Sequence, residues 1–237
     1  MIFPIRDLLP SRTFPGVNTA IIVANCVVWI FELILGPRLD GFIDSYGLVP
    51  MTIRLGTDPA QFLTVLTSMF LHGGWMHVIG NMWFLYIFGD NVEDAMGHVR
   101  YPIFYLLCGI GAAAAQVAID PESKMPMVGA SGAIAGILGA YLSLYPRARI
   151  VSLLFLGIFI QFLTIPAYVV IVVWFGLQLV EGLVSLGRVA EGGVAFWAHI
   201  GGFIVGFVLV RIFVKRDYRR PTEDIAPSQI RRRIDWQ

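Results

Sequence analysis

Long apolar runs constrain the fold of this chain more than any other feature of its sequence. The first run, Val17–Leu35, contains nineteen residues, of which only Glu32 is charged. A helix that crosses a bilayer needs about twenty predominantly apolar residues. Over the whole chain 57% of residues are apolar and 14% are charged, against roughly 45–50% and about 25% in soluble domains. The sequence therefore predicts an all-α polytopic membrane protein with no nucleic-acid partner.

Six runs are predicted to cross the membrane as helices: Val17–Leu35, Phe62–Phe88, Tyr101–Ile119, Gly129–Tyr145, Ala167–Leu186 and Val194–Val214. The connection at 36–62 is too long and too apolar for a bare linker, so we expect a folded loop that lies partly in the membrane. Ile150–Ile165 is apolar but is interrupted by Gly157 and followed by Pro166. We expect this segment to be interfacial or half-inserted. The fourth run is short for a bilayer, which predicts that neighbouring helices surround its first turn.

The distribution of positive charge predicts the orientation of the chain. Six spans place both termini on the same side of the membrane. That side receives thirteen of the seventeen Lys and Arg residues: Arg6, Arg12, Arg100, Arg147, Arg149, Arg211, Lys215, Arg216, Arg219, Arg220, Arg231, Arg232 and Arg233. The positive-inside rule then predicts that both termini are cytoplasmic. Residues 1–16 show neither a signal-peptide cleavage pattern nor a transit-peptide composition, which favours the plasma membrane.

The predicted organisation is simple. Residues 1–16 form a cytoplasmic N-terminal segment, residues 17–214 form one six-helix domain, and residues 215–237 form a charged cytoplasmic tail without fixed structure. Cys26 and Cys108 lie inside apolar runs, which favours small core residues over a disulfide or a metal site. The sequence suggests no cofactor and does not indicate an oligomeric state.

A serine between glycines stands at the start of the fourth run, in Gly129-Ala130-Ser131-Gly132. A helix start offers free backbone N–H groups, which suit a nucleophile whose attack creates an oxyanion. The alternative is a packing face of small residues, Gly132-xxx-Gly136, inside a membrane helix. Taken alone, this segment favours the packing face.

Three further polar side chains are predicted to lie at a similar depth. His77 and Asn81 are one turn apart in the second run, and His199 lies near the start of the sixth. Ser131 and His199 are predicted to pair as a nucleophile and its general base. We expect a dyad rather than a triad, because the nearest acid to His199 is Glu191, in a loop. His77, Asn81 and the Ser131 N–H are candidate oxyanion donors. Structural alternatives remain open, since a lone histidine can be hydrogen-bonded in a core and an asparagine can join helices.

These residues resemble the motifs of the rhomboid intramembrane serine proteases, and the resemblance runs from the first span to the sixth. Three segments carry it: His72-Gly73-Gly74-Trp75-Met76-His77-Val78-Ile79-Gly80-Asn81 for the family's H-x4-H-x3-N, Gly129-Ala130-Ser131-Gly132 for G-x-S-G, and Ala198-His199-Ile200-Gly201-Gly202 with Gly206 for A-H-x-x-G-x-x-x-G. The resemblance implies a six-helix bundle with a membrane-embedded first loop.

The resemblance also implies roles for individual residues. Ser131 would be the nucleophile, His199 the general base, and the Ser131 N–H, His77 and Asn81 the oxyanion hole. Supporting roles fall to His72, Gly129, Gly132, Gly202 and Gly206, with His72 either a second donor or a residue that orders its loop. The implied substrates are transmembrane proteins, cut in or near a membrane-spanning segment from a cavity open to the extracytoplasmic side.

Two positions depart from the family pattern. Leu63-Thr64 stands where many members have Trp-Arg, which bears on how the first loop is anchored. Ala135 replaces an aromatic residue that packs against the base in some members, so we expect Trp197 or a neighbouring helix to hold His199 instead. An inactive relative that binds and steers membrane proteins is the alternative function, although such a relative is expected to lack Ser131 or His199. A transporter is disfavoured because the sequence shows no inverted repeat.

Overall fold

A computed structural model of the protein describes residues 2–56, 58–156, 159–185 and 196–218. The α-helices within these residues are α1 (Gly16–Leu35), α2 (Leu39–Tyr46), α3 (Pro50–Leu55), α4 (Thr64–Thr67), α5 (Trp75–Met96), α6 (Arg100–Ile119), α7 (Ser131–Leu144), α8 (Ala167–Ser185) and α9 (Phe196–Phe213). Short 3-10 turns occur at Gly36–Arg38, Pro59–Leu63 and Ser68–Phe70. The strands are β1 (Ile2–Asp7), β2 (Arg149–Leu156) and β3 (Phe159–Pro166).

Several of these helices are long and apolar enough to cross a bilayer. They are the segments Gly16–Tyr46, Arg100–Ile119 and Phe196–Phe213. A fourth span results if Pro59–Phe70 and Trp75–Met96, which meet at 80°, count as one. Ser131–Leu144 and Ala167–Val180 are apolar but shorter. The fold is therefore a mostly helical bundle of a multi-pass membrane protein, and α1, α6 and α9 agree with their predicted bounds to within two residues.

The second predicted helix, Phe62–Phe88, is wrong in its bounds. The chain is extended at Leu71, and α5 begins only at Trp75 and continues to Met96. The backbone N–H of His72 donates to the carboxylate of Glu32 in α1, at 3.1 and 3.3 Å from its two oxygens, instead of to a carbonyl one turn earlier. This long-range bond ends the helix that the apolar pattern would have continued.

The prediction of an all-α protein is also wrong in one region. Ile150–Ile165 forms most of an antiparallel hairpin, β2–β3, and β1 pairs antiparallel with the other edge of β2. A short apolar run does not by its periodicity distinguish a buried strand from a helix. Because Ile150, Val151 and Ser152 are buried, the base of this sheet belongs to the protein core. Within the N-terminal segment, Ile2–Asp7 is a strand of this sheet.

Helices α6, α7 and α9 pack together through small residues. A Cβ added to Gly136 would overlap the side chain of Cys108 in α6, and one added to Gly206 would overlap the backbone carbonyl of Gly136. Glycine allows this close approach of two helix backbones, which supplies packing energy that lipid cannot supply. From Gly132 to Tyr141 every residue of α7 is buried. The Gly132-xxx-Gly136 segment is thus a packing face, and the short helix α7 is enclosed by protein as predicted.

Residues 214–218 continue beyond α9 against the bundle. The backbone N–H of Lys215 donates to the carbonyl of Ala95 at 3.0 Å, and the hydroxyls of Tyr218 and Tyr145 lie 2.5 Å apart. The first residues of the predicted tail are therefore ordered against the protein. The rest of that tail, 219–237, and the predicted loop at 187–193 lie outside the described residues.

Candidate active site

Ser131 is the first residue of α7 and follows a turn that requires glycine. Gly129 has φ of +129°, and a Cβ at this position would lie 2.6 Å from Nε2 of His77. The N–H of Gly129 donates to the carbonyl of Ser68 at 2.8 Å, which fixes the turn against the segment before α5. The first backbone N–H groups of a helix have no partner within the helix. Ser131 therefore presents its hydroxyl beside free N–H groups and beside an imidazole.

The structure brings Ser131 and His199 together. Nε2 of His199 lies 2.7 Å from Oγ of Ser131, although 68 residues separate them in the chain. The contact depends on the close packing of α7 and α9, because a Cβ on Gly202 would overlap the carbonyl oxygen of Gly132. The imidazole is 7% exposed. A hydroxyl hydrogen-bonded to a buried histidine is the arrangement in which the histidine can remove the hydroxyl proton.

Two residues of α8 contact the other side of His199. Oε1 of Gln178 lies 2.5 Å from Nδ1 of His199, and the ring centroids of Trp174 and His199 are 5.9 Å apart. Gln178 is not among the site residues that the sequence predicts. The available signal was an amide in an otherwise apolar membrane helix, since such groups usually face the bundle interior. Trp197 and a neighbouring helix were the two expected supports for His199. The structure supports the neighbouring helix, which is α8.

His77 and Asn81 both lie on α5 and line the same cavity as Ser131. Nδ1 of His77 accepts the N–H of Gly73 at 3.3 Å, so the ring proton is on Nε2, the atom nearest to Gly129. The side-chain nitrogen of Asn81 is buried and has no hydrogen-bond partner in the described part of the chain. Two side chains on one helix face can thus donate hydrogen bonds into the cavity.

The cavity has a volume of about 1160 Å³ and is lined by residues of α5, α6, α7, α8 and α9. Its wall includes His77, Asn81, Ser131, Trp174 and His199. Among the described residues no group of three or more His, Cys, Asp or Glu is placed to hold a metal ion. Among the polar groups of the wall are the hydroxyl of Ser131, the imidazoles of His77 and His199 and the amide of Asn81, which suit acyl transfer.

His72 lies behind His77 and is not part of the cavity wall. Its ring is 1% exposed and packs edge-on against the His77 ring, with centroids 5.3 Å apart. Its backbone N–H is the group bonded to Glu32. Of the two alternatives for His72, this geometry matches a residue that orders the segment before α5 and supports the ring of His77.

The loop after α1 is held mainly by backbone hydrogen bonds, at a distance from Leu63-Thr64. Leu48 and Met127 exchange two of them, at 3.0 and 2.7 Å, and the N–H of Met51 donates to Ser123 at 3.0 Å. These bonds attach the loop to the segment that leads into Ser131. The loop is thus anchored at positions other than Leu63-Thr64.

Comparison with known proteins identifies the family. The sequence profile of the Rhomboid domain matches residues 59–216. Three similar proteins of Arabidopsis thaliana are Rhomboid-like protein 11, chloroplastic (28% identical), RHOMBOID-like protein 4 (34%) and RHOMBOID-like protein 1 (30%), and each match covers 86% of this chain. The matches span 71% of the first relative and 54% of the other two. Because the profile covers more than half of the sequence and includes the helices that carry Ser131 and His199, this chain belongs to the rhomboid family.

Proposed function

We propose that this protein is an intramembrane serine endopeptidase that cleaves membrane-anchored proteins in or near a transmembrane segment. The hydrogen bond of 2.7 Å between Oγ of Ser131 and Nε2 of His199 carries the proposal. It lies beside a cavity whose wall also presents the buried, unpartnered amide nitrogen of Asn81. An unpartnered donor at membrane depth is costly unless a ligand or a reacting group uses it.

The proposed reaction begins with proton transfer from Ser131 to Nε2 of His199. The oxygen of Ser131 attacks the scissile carbonyl carbon, and the carbonyl oxygen becomes an oxyanion. His199 then gives its proton to the leaving amine as the peptide bond breaks, which leaves an ester on Ser131. Water, deprotonated by His199, hydrolyses this ester and restores the serine.

The proposed oxyanion hole consists of the Ser131 N–H, Nε2–H of His77 and the amide of Asn81. The N–H is supplied by the start of α7, where no helical carbonyl competes for it. Gly129 allows the His77 ring to approach, and Gly202 and Gly206 allow α9 to contact α7. Gly132 allows α7 to approach Ala112 of α6. These glycines therefore support the site through geometry alone.

We also propose six membrane spans, a membrane-embedded first loop and two cytoplasmic termini, with the site facing the extracytoplasmic side of the cell membrane. The charge count supports this orientation, and the β2–β3 hairpin supports the even number of spans because it returns the chain without crossing. Large apolar side chains exposed in and around the first loop support lipid contact there: Tyr46, Leu55, Phe62, Leu63 and Leu66. The proposed organisation is a cytoplasmic N-terminal segment (1–16), a six-helix domain (17–214) and a cytoplasmic tail (215–237).

The test is cleavage of a model transmembrane substrate by purified protein in liposomes. The wild type is expected to cut the substrate, whereas Ser131→Ala and His199→Ala are expected to show no cleavage. Ser143→Ala is the matched control, because Ser143 lies on the same helix, three turns from Ser131. A serine-directed phosphonate probe should label the wild type and the control but not Ser131→Ala.

Two outcomes would contradict the proposal. Equal cleavage by Ser131→Ala would show that the serine is not the nucleophile. A folded wild type that binds the transmembrane substrate, but neither cuts it nor reacts with the probe, would favour the inactive binding and trafficking factor.

A further inference from the structure

The catalytic pair of the proposed function has a third partner on α8. Nδ1 of His199, the ring nitrogen that faces away from Ser131, lies 2.5 Å from Oε1 of Gln178. We propose that Gln178 is a positioning residue that holds His199 in the tautomer and orientation needed to accept the proton of Ser131. The inference rests on the proposed function, since it assigns His199 the role of general base.

The chemistry of the two contacts determines where the ring proton lies. With its amide oxygen toward Nδ1, Gln178 can only accept a hydrogen bond, so this contact forms when Nδ1 of His199 carries the proton. Nε2 then has a free lone pair directed at the hydroxyl of Ser131, 2.7 Å away. In the opposite tautomer two lone pairs would face each other at Nδ1. Gln178 therefore selects the form of the imidazole that can act as a base.

Trp174 limits the remaining freedom of the ring. It lies one turn before Gln178 on α8, and its ring is 5.9 Å from that of His199 at an angle of 40°. His199 is almost fully buried, so a rotation of its ring toward α8 would have to displace Trp174. Because Trp174 and Gln178 both belong to α8, the orientation of the base depends on the position of that helix.

An amide suits this position better than the carboxylate of a catalytic triad. A carboxylate buried in a membrane bundle carries a large desolvation cost, whereas an amide can orient the ring without burying a charge. The sequence has no acid close to His199 within the sixth run, and the structure places Gln178 where a triad has its acid. The positioning function is thus supplied by a neutral residue.

The test compares Gln178→Leu, Gln178→Glu and the control Leu177→Ala. Leu177 is the preceding residue on α8 and is 55% exposed. Gln178→Leu is expected to lower kcat about tenfold or more with little change in KM, the loss that corresponds to one hydrogen bond. Gln178→Glu keeps an acceptor and is expected to recover most of kcat, but with a lower melting temperature because it buries a carboxylate. Leu177→Ala should match the wild type.

A second measurement separates positioning from stability. In protein labelled with ¹⁵N-histidine, the shifts of His199 should report one tautomer, with the proton on Nδ1, in the wild type and a mixture in Gln178→Leu. Full kcat in Gln178→Leu, or a lower melting temperature with an unchanged tautomer, would overturn the inference while leaving the proposed protease intact. A wild type that cleaves nothing but shows the Gln178-dependent tautomer would refute the proposed function and leave the positioning role standing.

Discussion

The contact between α7 and α9 offers the most direct test of how the fold creates the site, through Gly202→Ala. A Cβ at Gly202 would overlap the backbone carbonyl oxygen of Gly132 and would lie 3.4 Å from Cβ of Ala112. The obstacle at Gly132 is backbone, so no side-chain rotation can relieve it. Since carbon and oxygen atoms in contact keep about 3.3–3.6 Å apart, α9 must move away from α7 by on the order of 1 Å.

The expected magnitude follows from two opposing effects. Overpacking of a tightly packed core costs about 1–3 kcal/mol, and replacing a helical glycine by alanine returns roughly 0.5–1 kcal/mol. The net loss in the free energy of unfolding is therefore between about 0 and 2.5 kcal/mol relative to the wild type. Gly132 directly follows Ser131, so the same displacement lengthens the 2.7 Å contact between Ser131 and His199. A misplacement of about 1 Å can lower the rate of a reaction about 10²-fold.

The assay measures unfolding in detergent micelles and cleavage of a transmembrane substrate on the same preparations. Gly176→Ala is the matched control, because Gly176 lies in the helix α8 and a Cβ there meets nothing within 4 Å. This control is expected to be unchanged or slightly more stable and fully active. If Gly202→Ala is as stable and as active as Gly176→Ala, the close backbone contact and the reasoning built on it are refuted.

Three further predictions address other parts of the molecule. Asn81→Ala is expected to lower kcat about 10²–10³-fold, as for one lost oxyanion donor, with little change in the unfolding midpoint; a variant that fails to fold would instead favour helix joining. Glu32→Ala leaves the buried N–H of His72 without its acceptor and should lower the free energy of unfolding by about 1–3 kcal/mol. Glu32→Gln keeps an acceptor, so its free energy of unfolding should fall by less. Equal losses for the two variants in chemical denaturation would contradict this prediction. Deletion of residues 2–7 exposes the edge of β2 and removes the carboxylate of Asp7, which lies 2.8 Å from the Tyr141 hydroxyl, so the melting temperature should fall. Asp7→Asn should retain most of the stability. An unchanged melting temperature of the deletion variant would show that β1 does not stabilise the fold.

The sequence by itself determined where most helices run and which polar residues are candidates for the site. Apolar runs such as those of α1, α6 and α9 become helices because lipid leaves the backbone no other partner for its hydrogen bonds. Histidine and serine at membrane depth stand out because burying them is costly. These effects depend on residue type and local spacing, so the sequence shows them without the fold. They led to the hypothesis that Ser131 pairs with His199, which the distance of 2.7 Å supports.

Only the tertiary structure decided the features that depend on partners distant in the chain. The break before α5 exists because the N–H of His72 bonds to Glu32, forty residues earlier. The β2–β3 hairpin is completed by β1 from the other end of the chain. Gln178 reaches His199 only because α8 packs with this face toward α9. In each case a local pattern permits several conformations, and the hydrogen bond that selects one of them forms only when the helices and strands have assembled.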